Sequence, residues 1–148
     1  MKKSRIYLII AGLITIFIFA NSAQSAQESS EISGGVLTFL TRLLSGTGIT
    51  VSHYFVRKAA HFTEFFMQSL FLSLGAKNSR VGLSGGAVYV AFAGLLTACC
   101  DELLQMFVDG RGSLVSDVFI DFSGTVTALA AVVILYLIKR RKYNAGTR

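Results

Sequence analysis

Residues 81–108, VGLSGGAVYVAFAGLLTACCDELLQMFV, decide how this chain folds. From Val81 to Cys100 there is no charge, and a helix of that length, at about 1.5 Å per residue, crosses the roughly 30 Å of a bilayer core. Asp101 and Glu102 then appear near the end of the run, with Gln105 one turn beyond Asp101. Small residues recur at fixed spacing in Gly82/Gly86, Ala87/Ala91 and Gly94/Ala98, a pattern that lets helices approach closely in lipid.

Working outward, three more apolar runs of comparable kind flank this one: Ile6–Ala20, Ser52–Ala76 and Leu114–Ile138. The chain has 148 residues, 53% of them hydrophobic, with a mean hydropathy of +0.61. That is more apolar than a soluble domain of this size. The expected fold is all-α, a polytopic membrane bundle of four transmembrane helices with a short outer amphipathic helix. The expected organisation is a first transmembrane helix at 1–20, an exported loop at 21–51, a core with helices two to four at 52–138, and a basic cytoplasmic tail at 139–148. The small residues of Ala20-Asn-Ser-Ala-Gln-Ser-Ala26 also resemble a signal-peptide cleavage region, so cleavage is the alternative to a retained first helix.

The net charge of +6 could suggest nucleic acid, but the positive residues cluster beside the apolar runs and no nucleic-acid motif accompanies them, so no nucleic-acid partner is expected. Lys2, Lys3 and Arg5 precede the first span, Lys77 and Arg80 separate the second and third, and Lys139, Arg140, Arg141, Lys142 and Arg148 follow the fourth. With four spans all of these lie on one side, which the positive-inside bias makes cytoplasmic, with both termini. The expected location is the bacterial cell membrane. Every acidic residue falls on the other side or in the outer part of a span. Cys99 and Cys100 are helix neighbours that point apart, so neither a disulfide between them nor a cysteine metal motif is expected.

Between the first two spans, a polar loop over Gln24–Ser33 and Gly34-Gly35 leads to Val36, Leu37, Leu40, Leu43 and Leu44 at helical spacing. This reads as a short amphipathic helix on the outer surface, or alternatively one packed on the bundle. Gly46-Thr-Gly48 forms a joint before the second span.

A charge inside hydrocarbon costs about 2.5–3.5 kcal/mol even on lenient scales, so intramembrane ionisable groups point to function. Arg57, His61 and Glu64 share one face of the second span, and Lys58 stands one position off, able to snorkel. Asp117 and Asp121 lie one turn apart in the fourth span. At the helical rise His61 lies roughly 13 Å deep, Glu64 roughly 18 Å, and Asp101 and Asp121 each roughly 10 Å, so three helices place polar groups in one layer beneath the loop Asp109–Gly112. Bundle-holding ion pairs, such as Arg57 with Asp117 or His61 with Glu102, are one reading of this layer. Proton transport is a weaker one, because the inner halves of the spans hold no carboxylate.

The motifs Arg57-Lys-Ala-Ala-His61-Phe-Thr-Glu64-Phe, Asp101-Glu102-Leu-Leu-Gln105-Met-Phe, Gly110-Arg111 and Asp117-Val-Phe-Ile-Asp121-Phe-Ser-Gly124 together resemble the VanZ-like family of bacterial membrane proteins, in order and spacing, over most of the chain from Ser52 onward. Ser22, Ser25, Ser29 and Ser30 are similar to the family's outer-loop serines, and Asp109 stands where the family pattern places a proline. The resemblance implies a link to low-level teicoplanin resistance and a remote similarity to membrane enzymes that exchange lipid head groups.

Three functions are weighed. The preferred one is chemistry on a phospho-linked lipid at the outer leaflet. Arg57, Lys58, Gln105 and Arg111 bind substrate, the arginines clamping phosphate. His61 is base or nucleophile, oriented by Glu64 or Glu102. Asp101, Asp117 and Asp121 position the acceptor, protonate the leaving group, or hold a divalent cation such as Ca²⁺ or Mg²⁺. The rivals are a non-catalytic protein that binds a lipid-linked envelope precursor or the drug, and a structural envelope subunit. Expected partners are membrane lipids or lipid-linked precursors; the sequence leaves the oligomeric state open.

Overall fold

The computed structural model describes residues 2–47 and 49–146; Gly48 of the proposed joint and Arg148 of the basic tail lie outside the described residues. Five helices follow in order: α1 (Lys2–Ser22), α2 (Ala26–Leu43), α3 (His53–Lys77), α4 (Gly82–Gln105) and α5 (Val115–Gly146). Among the described residues, three of them, α1, α4 and α5, are long and apolar enough to cross a membrane. Helix α3 has 25 residues, enough length to cross. His61, Glu64 and Gln68 lower its hydropathy, however, and it does not join the other three.

The polarity of the bundle explains why. Helix α3 lies at the centre, packed against α5, α1 and α4, and its buried face includes Gln68, Ser69 and Ser73. The interior elsewhere holds Asp101, Asp121 and Thr125, all at 1% exposure or less, while Ile16, Val88, Tyr89 and Leu135 stand exposed on the outside. An aqueous protein reverses this arrangement. An apolar surround accepts it, because lipid-facing residues then need no partner while interior polar groups find one another.

Interhelical hydrogen bonds do so. The Gln68 amide donates to the hydroxyls of Thr15 (2.7 Å) and Thr97 (3.2 Å), joining α3 to α1 and α4. Ser69 donates to Thr125 of α5 at 2.9 Å. Glycines bring the backbones close enough. A Cβ on Gly124 would meet the Phe62 carbonyl and stand 3.0 Å from the Phe66 nitrogen, and one on Gly94 would strike Thr125. Gly86 is similarly tight against Ala76. Gly82, expected in the same role, has open space around it and instead takes a φ of +71° at the start of α4.

Chain direction alternates, and the basic clusters gather at one end. Ser4 donates to the Gly75 carbonyl (2.9 Å), and Lys77 lies over the Tyr136 ring, 5.7 Å from its centroid. These contacts set the start of α1, the end of α3 and the second half of α5 together. The opposite end carries the loop 106–114 and the acidic residues.

Three boundaries differ from expectation. The segment expected as a polar loop over Gln24–Ser33 is helical from Ala26, because Ser25 and Glu28 form a reciprocal cap: Glu28 N–H donates to the Ser25 hydroxyl, and the Ser25 N–H donates to the Glu28 carboxylate at 2.8 Å. Helix α4 stops at Gln105 rather than Val108, where the chain turns toward Gly110, whose φ of +72° suits glycine. The basic segment after Ile138 continues α5 as helix to Gly146.

Candidate functional site

The site forms where α1, α3, α4 and α5 meet at the acidic end. His61 sits one turn after Arg57 on α3, Asp101 in the last turns of α4, and Asp121 one turn after Asp117 on α5. His61 Nδ1 lies 3.5 Å from Asp121 Oδ1 and 3.8 Å from Asp101 Oδ2. Both aspartates are fully buried, and the His61 side chain keeps 18% exposure. The donor atoms of these three residues all lie within 4.8 Å of one another. Gln105 donates to Asp101 Oδ2 at 2.9 Å and reaches toward Ser22 of α1 at 3.4 Å, which fixes the Asp101 carboxylate from behind.

The remaining acidic residues are turned to other partners. Among the described residues Glu102 makes no ion pair with His61. Its carboxylate accepts a hydrogen bond from the Leu114 N–H (3.0 Å), just ahead of α5, as a side-chain tie across the loop. Asp117 pairs with Lys58, which also lies over the Tyr54 ring, so Lys58 is an ion-pair partner instead of a snorkelling side chain. The alternative pairs, Arg57 with Asp117 and His61 with Glu102, are not among the ion pairs of the described residues. Glu64 accepts from the Asn21 amide at 2.8 Å.

A cleft of about 620 Å³ opens beside this centre, between α1, α2 and α3. Its walls are mainly apolar, with Phe17 of α1, Val36 and Leu40 of α2 and Met67 of α3 among them. Arg57, His61, Glu64 and Arg111 line it as well, giving an otherwise greasy space a charged patch. Arg111 reaches down from the loop, as its glycine neighbours allow, and donates to the Asn21 carbonyl at 3.2 Å. Burial, and then the nearby Arg57 guanidinium, push Arg111 below the ordinary arginine value, while Asp101, Glu102 and Glu64 oppose the shift. Two guanidinium groups near one another on the wall of a cleft form a place for an anion.

Helix α2 is tied over this cleft at its start and near its middle. The Ala26 N–H donates to the Asp109 carbonyl (3.2 Å), and Ser33 lies 3.5 Å from His53 Nδ1 at the start of α3. Of the two arrangements expected for the amphipathic helix, these contacts place it against the bundle, with Val36 and Leu40 on the cleft wall and Phe39 and Leu43 left exposed.

Sequence reading missed Asn21, and named its neighbour Ser22 only through the family resemblance. They sit just past an apolar run, where small polar residues resemble a cleavage region, yet Asn21 holds both Glu64 and Arg111. Their signal was position: polar groups at the same end of α1 as the acids of α4 and α5.

The family model described as VanZ/LLP1 matches residues 6–138 of the chain. No curated protein and no solved structure matches it.

Proposed function

The chain belongs to the VanZ/LLP1 family of membrane proteins, and from that premise we propose that it binds a phospho-linked lipid at the outer leaflet and carries out head-group transfer or phosphoester chemistry on it. In this reading α3 is the fourth span, its polar face turned inward, and both termini are cytoplasmic. The charged patch then lies just under the outer surface. One observation carries the reading: an apolar cleft of lipid-like size lined by Arg57, Arg111 and His61, with two buried aspartates behind the histidine.

The chemistry follows from the placement. Acyl or prenyl carbons occupy the apolar walls, and the two guanidinium groups take the phosphate oxygens and neutralise charge that builds as the phosphorus is attacked. The centre formed by His61, Asp101 and Asp121 takes the proton of the acceptor oxygen, a lipid hydroxyl in transfer or water in hydrolysis. The acceptor–phosphorus bond forms, the phosphorus–oxygen bond to the leaving group breaks, and Glu64, also on the cleft wall, is placed to return a proton to the departing oxygen.

The test is direct. The purified protein is incubated in vesicles with labelled phospholipids and polyprenyl phosphates, and the products are resolved. Wild type should convert at least one species; His61→Ala should not; Arg57→Lys and Arg111→Lys should bind the lipid about tenfold or more weakly, since a point charge replaces a two-pronged donor. Binding without conversion would favour a non-catalytic carrier of an envelope precursor or drug. Neither binding nor conversion would leave a structural role.

A further inference from the structure

We propose that His61, Asp101 and Asp121 form a binding site for a divalent transition-metal ion of the Zn²⁺ class. Three side chains from three different helices bring one imidazole nitrogen and two carboxylates within 4.8 Å of one another. That spacing lets a single ion at about 2.0–2.2 Å from each donor be reached by small rotations of the side chains.

The burial of the centre makes the case stronger than proximity alone. Asp101 and Asp121 are removed from solvent, and each turns one oxygen toward His61; Asp121 Oδ2 is buried with no hydrogen-bond partner, and Asp101 is held by neutral groups, the Gln105 amide and the Ser22 hydroxyl. Buried carboxylate oxygens are rarely left unpaired, because nothing then offsets their desolvation. Among the described residues neither aspartate has a lysine or arginine at ion-pair distance: Lys58 is committed to Asp117, and Arg111 donates to the Asn21 carbonyl. One histidine can supply at most one positive charge to two carboxylates. A divalent ion supplies two and gives the unpaired Asp121 oxygen a partner.

The donor set also selects the ion. Calcium asks for six to eight oxygens and magnesium for an octahedron rich in water. Imidazole with carboxylates suits zinc and its first-row neighbours, and three protein ligands with a free position is the arrangement of a reactive zinc site. The set differs from the sequence-based expectation of a hard cation among Asp101, Asp117 and Asp121, since Asp117 is taken by Lys58 and His61 joins in its place. Gln105, donating to Asp101 Oδ2, is the outer partner that orients a metal-binding carboxylate. His61 also lines the cleft, so the free coordination position lies next to the space assigned to the lipid phosphate. Ion binding does not depend on that lipid reading; only the use made of the ion does.

The full-length protein, purified in detergent, is stripped with chelator and titrated with Zn²⁺ and Co²⁺ in the absence of phospholipid. Metal content and the Co²⁺ visible spectrum are recorded, in a background with Cys99→Ser and Cys100→Ser. One equivalent should bind, and the melting temperature should rise with ion concentration. Asp101→Asn, Asp121→Asn and His61→Gln should each weaken binding by about a hundredfold or more, whereas Glu31→Gln, on the exposed face of α2, should not. If a variant fails to fold, the wild-type titration still decides: no stoichiometric ion, or a Co²⁺ spectrum lacking a nitrogen ligand, overturns the proposal. So does binding that is unchanged in all three variants. Lipid conversion by a protein that binds no stoichiometric ion sinks the metal and leaves the lipid reading standing; stoichiometric metal without lipid conversion does the opposite.

Discussion

The carboxylate of Glu102, in the last turn of α4, receives the backbone N–H of Leu114 at 3.0 Å, so an acid one residue from the buried centre serves the loop that launches α5. Adjacent positions on a helix point about 100° apart. Asp101 therefore faces His61 while Glu102 faces the loop.

Removing that tie should cost stability and spare chemistry. Glu102→Ala leaves a backbone donor without its partner and should lower unfolding free energy by about 1–2 kcal/mol. Thermal unfolding in detergent measures this, alongside conversion per folded molecule. A variant with full stability and no activity would mean that Glu102 acts in the reaction.

The Lys58–Asp117 pair is mostly buried, with 19% and 11% side-chain exposure. Lys58→Met strands a carboxylate in the bundle and should destabilise by about 2–3 kcal/mol, a value reduced for the remaining solvent contact. Lys58→Met with Asp117→Leu removes both charges and should recover most of the loss. Denaturation of the two single variants and the double gives the coupling; strict additivity would show that the pair contributes nothing.

Gly124 lies where α5 presses on the α3 backbone, and the Phe62 carbonyl has no freedom to withdraw. Gly124→Ala should destabilise by about 3 kcal/mol, at the upper end of overpacking costs. Gly12, with nothing within 4 Å of its virtual Cβ, provides the contrast. Gly12→Ala should gain about 0.5–1 kcal/mol through helix propensity. Folded yield by size exclusion reports both, and equal tolerance at the two positions would contradict the packing.

Hydrogen bonds from the Ser25 backbone and then its hydroxyl hold the Glu28 carboxyl below its ordinary value. A carboxyl depressed on folding contributes stability above its unfolded value and loses it as pH falls through the folded one. The start of α2 should therefore loosen only in acid, below the usual carboxylate range near about 4. A spin label at exposed Gln27 should become mobile there, and Glu28→Gln should be mobile at neutral pH already. Mobility independent of pH in the wild type would dismiss the cap.

Much of this organisation was legible in the amino-acid order. Apolar run lengths determined the all-α membrane character, since hydrocarbon demands internally bonded helices. The spacing of Arg57, His61 and Glu64, and of Asp117 and Asp121, determined which faces carried charge, because helical periodicity is a local property. The capping box at Ser25 and Glu28 was equally local and was read as loop only because serines and glycines surround it. What tertiary structure alone decided was partnership. Whether His61 meets Asp101, Asp121 or Glu102 depends on helix rotation and on close approach at Gly94 and Gly124, set by packing across four helices. Asn21 joined the site for the same reason: its contacts with Glu64 and Arg111 bridge 43 and 90 residues of chain, distances over which no local pattern reaches.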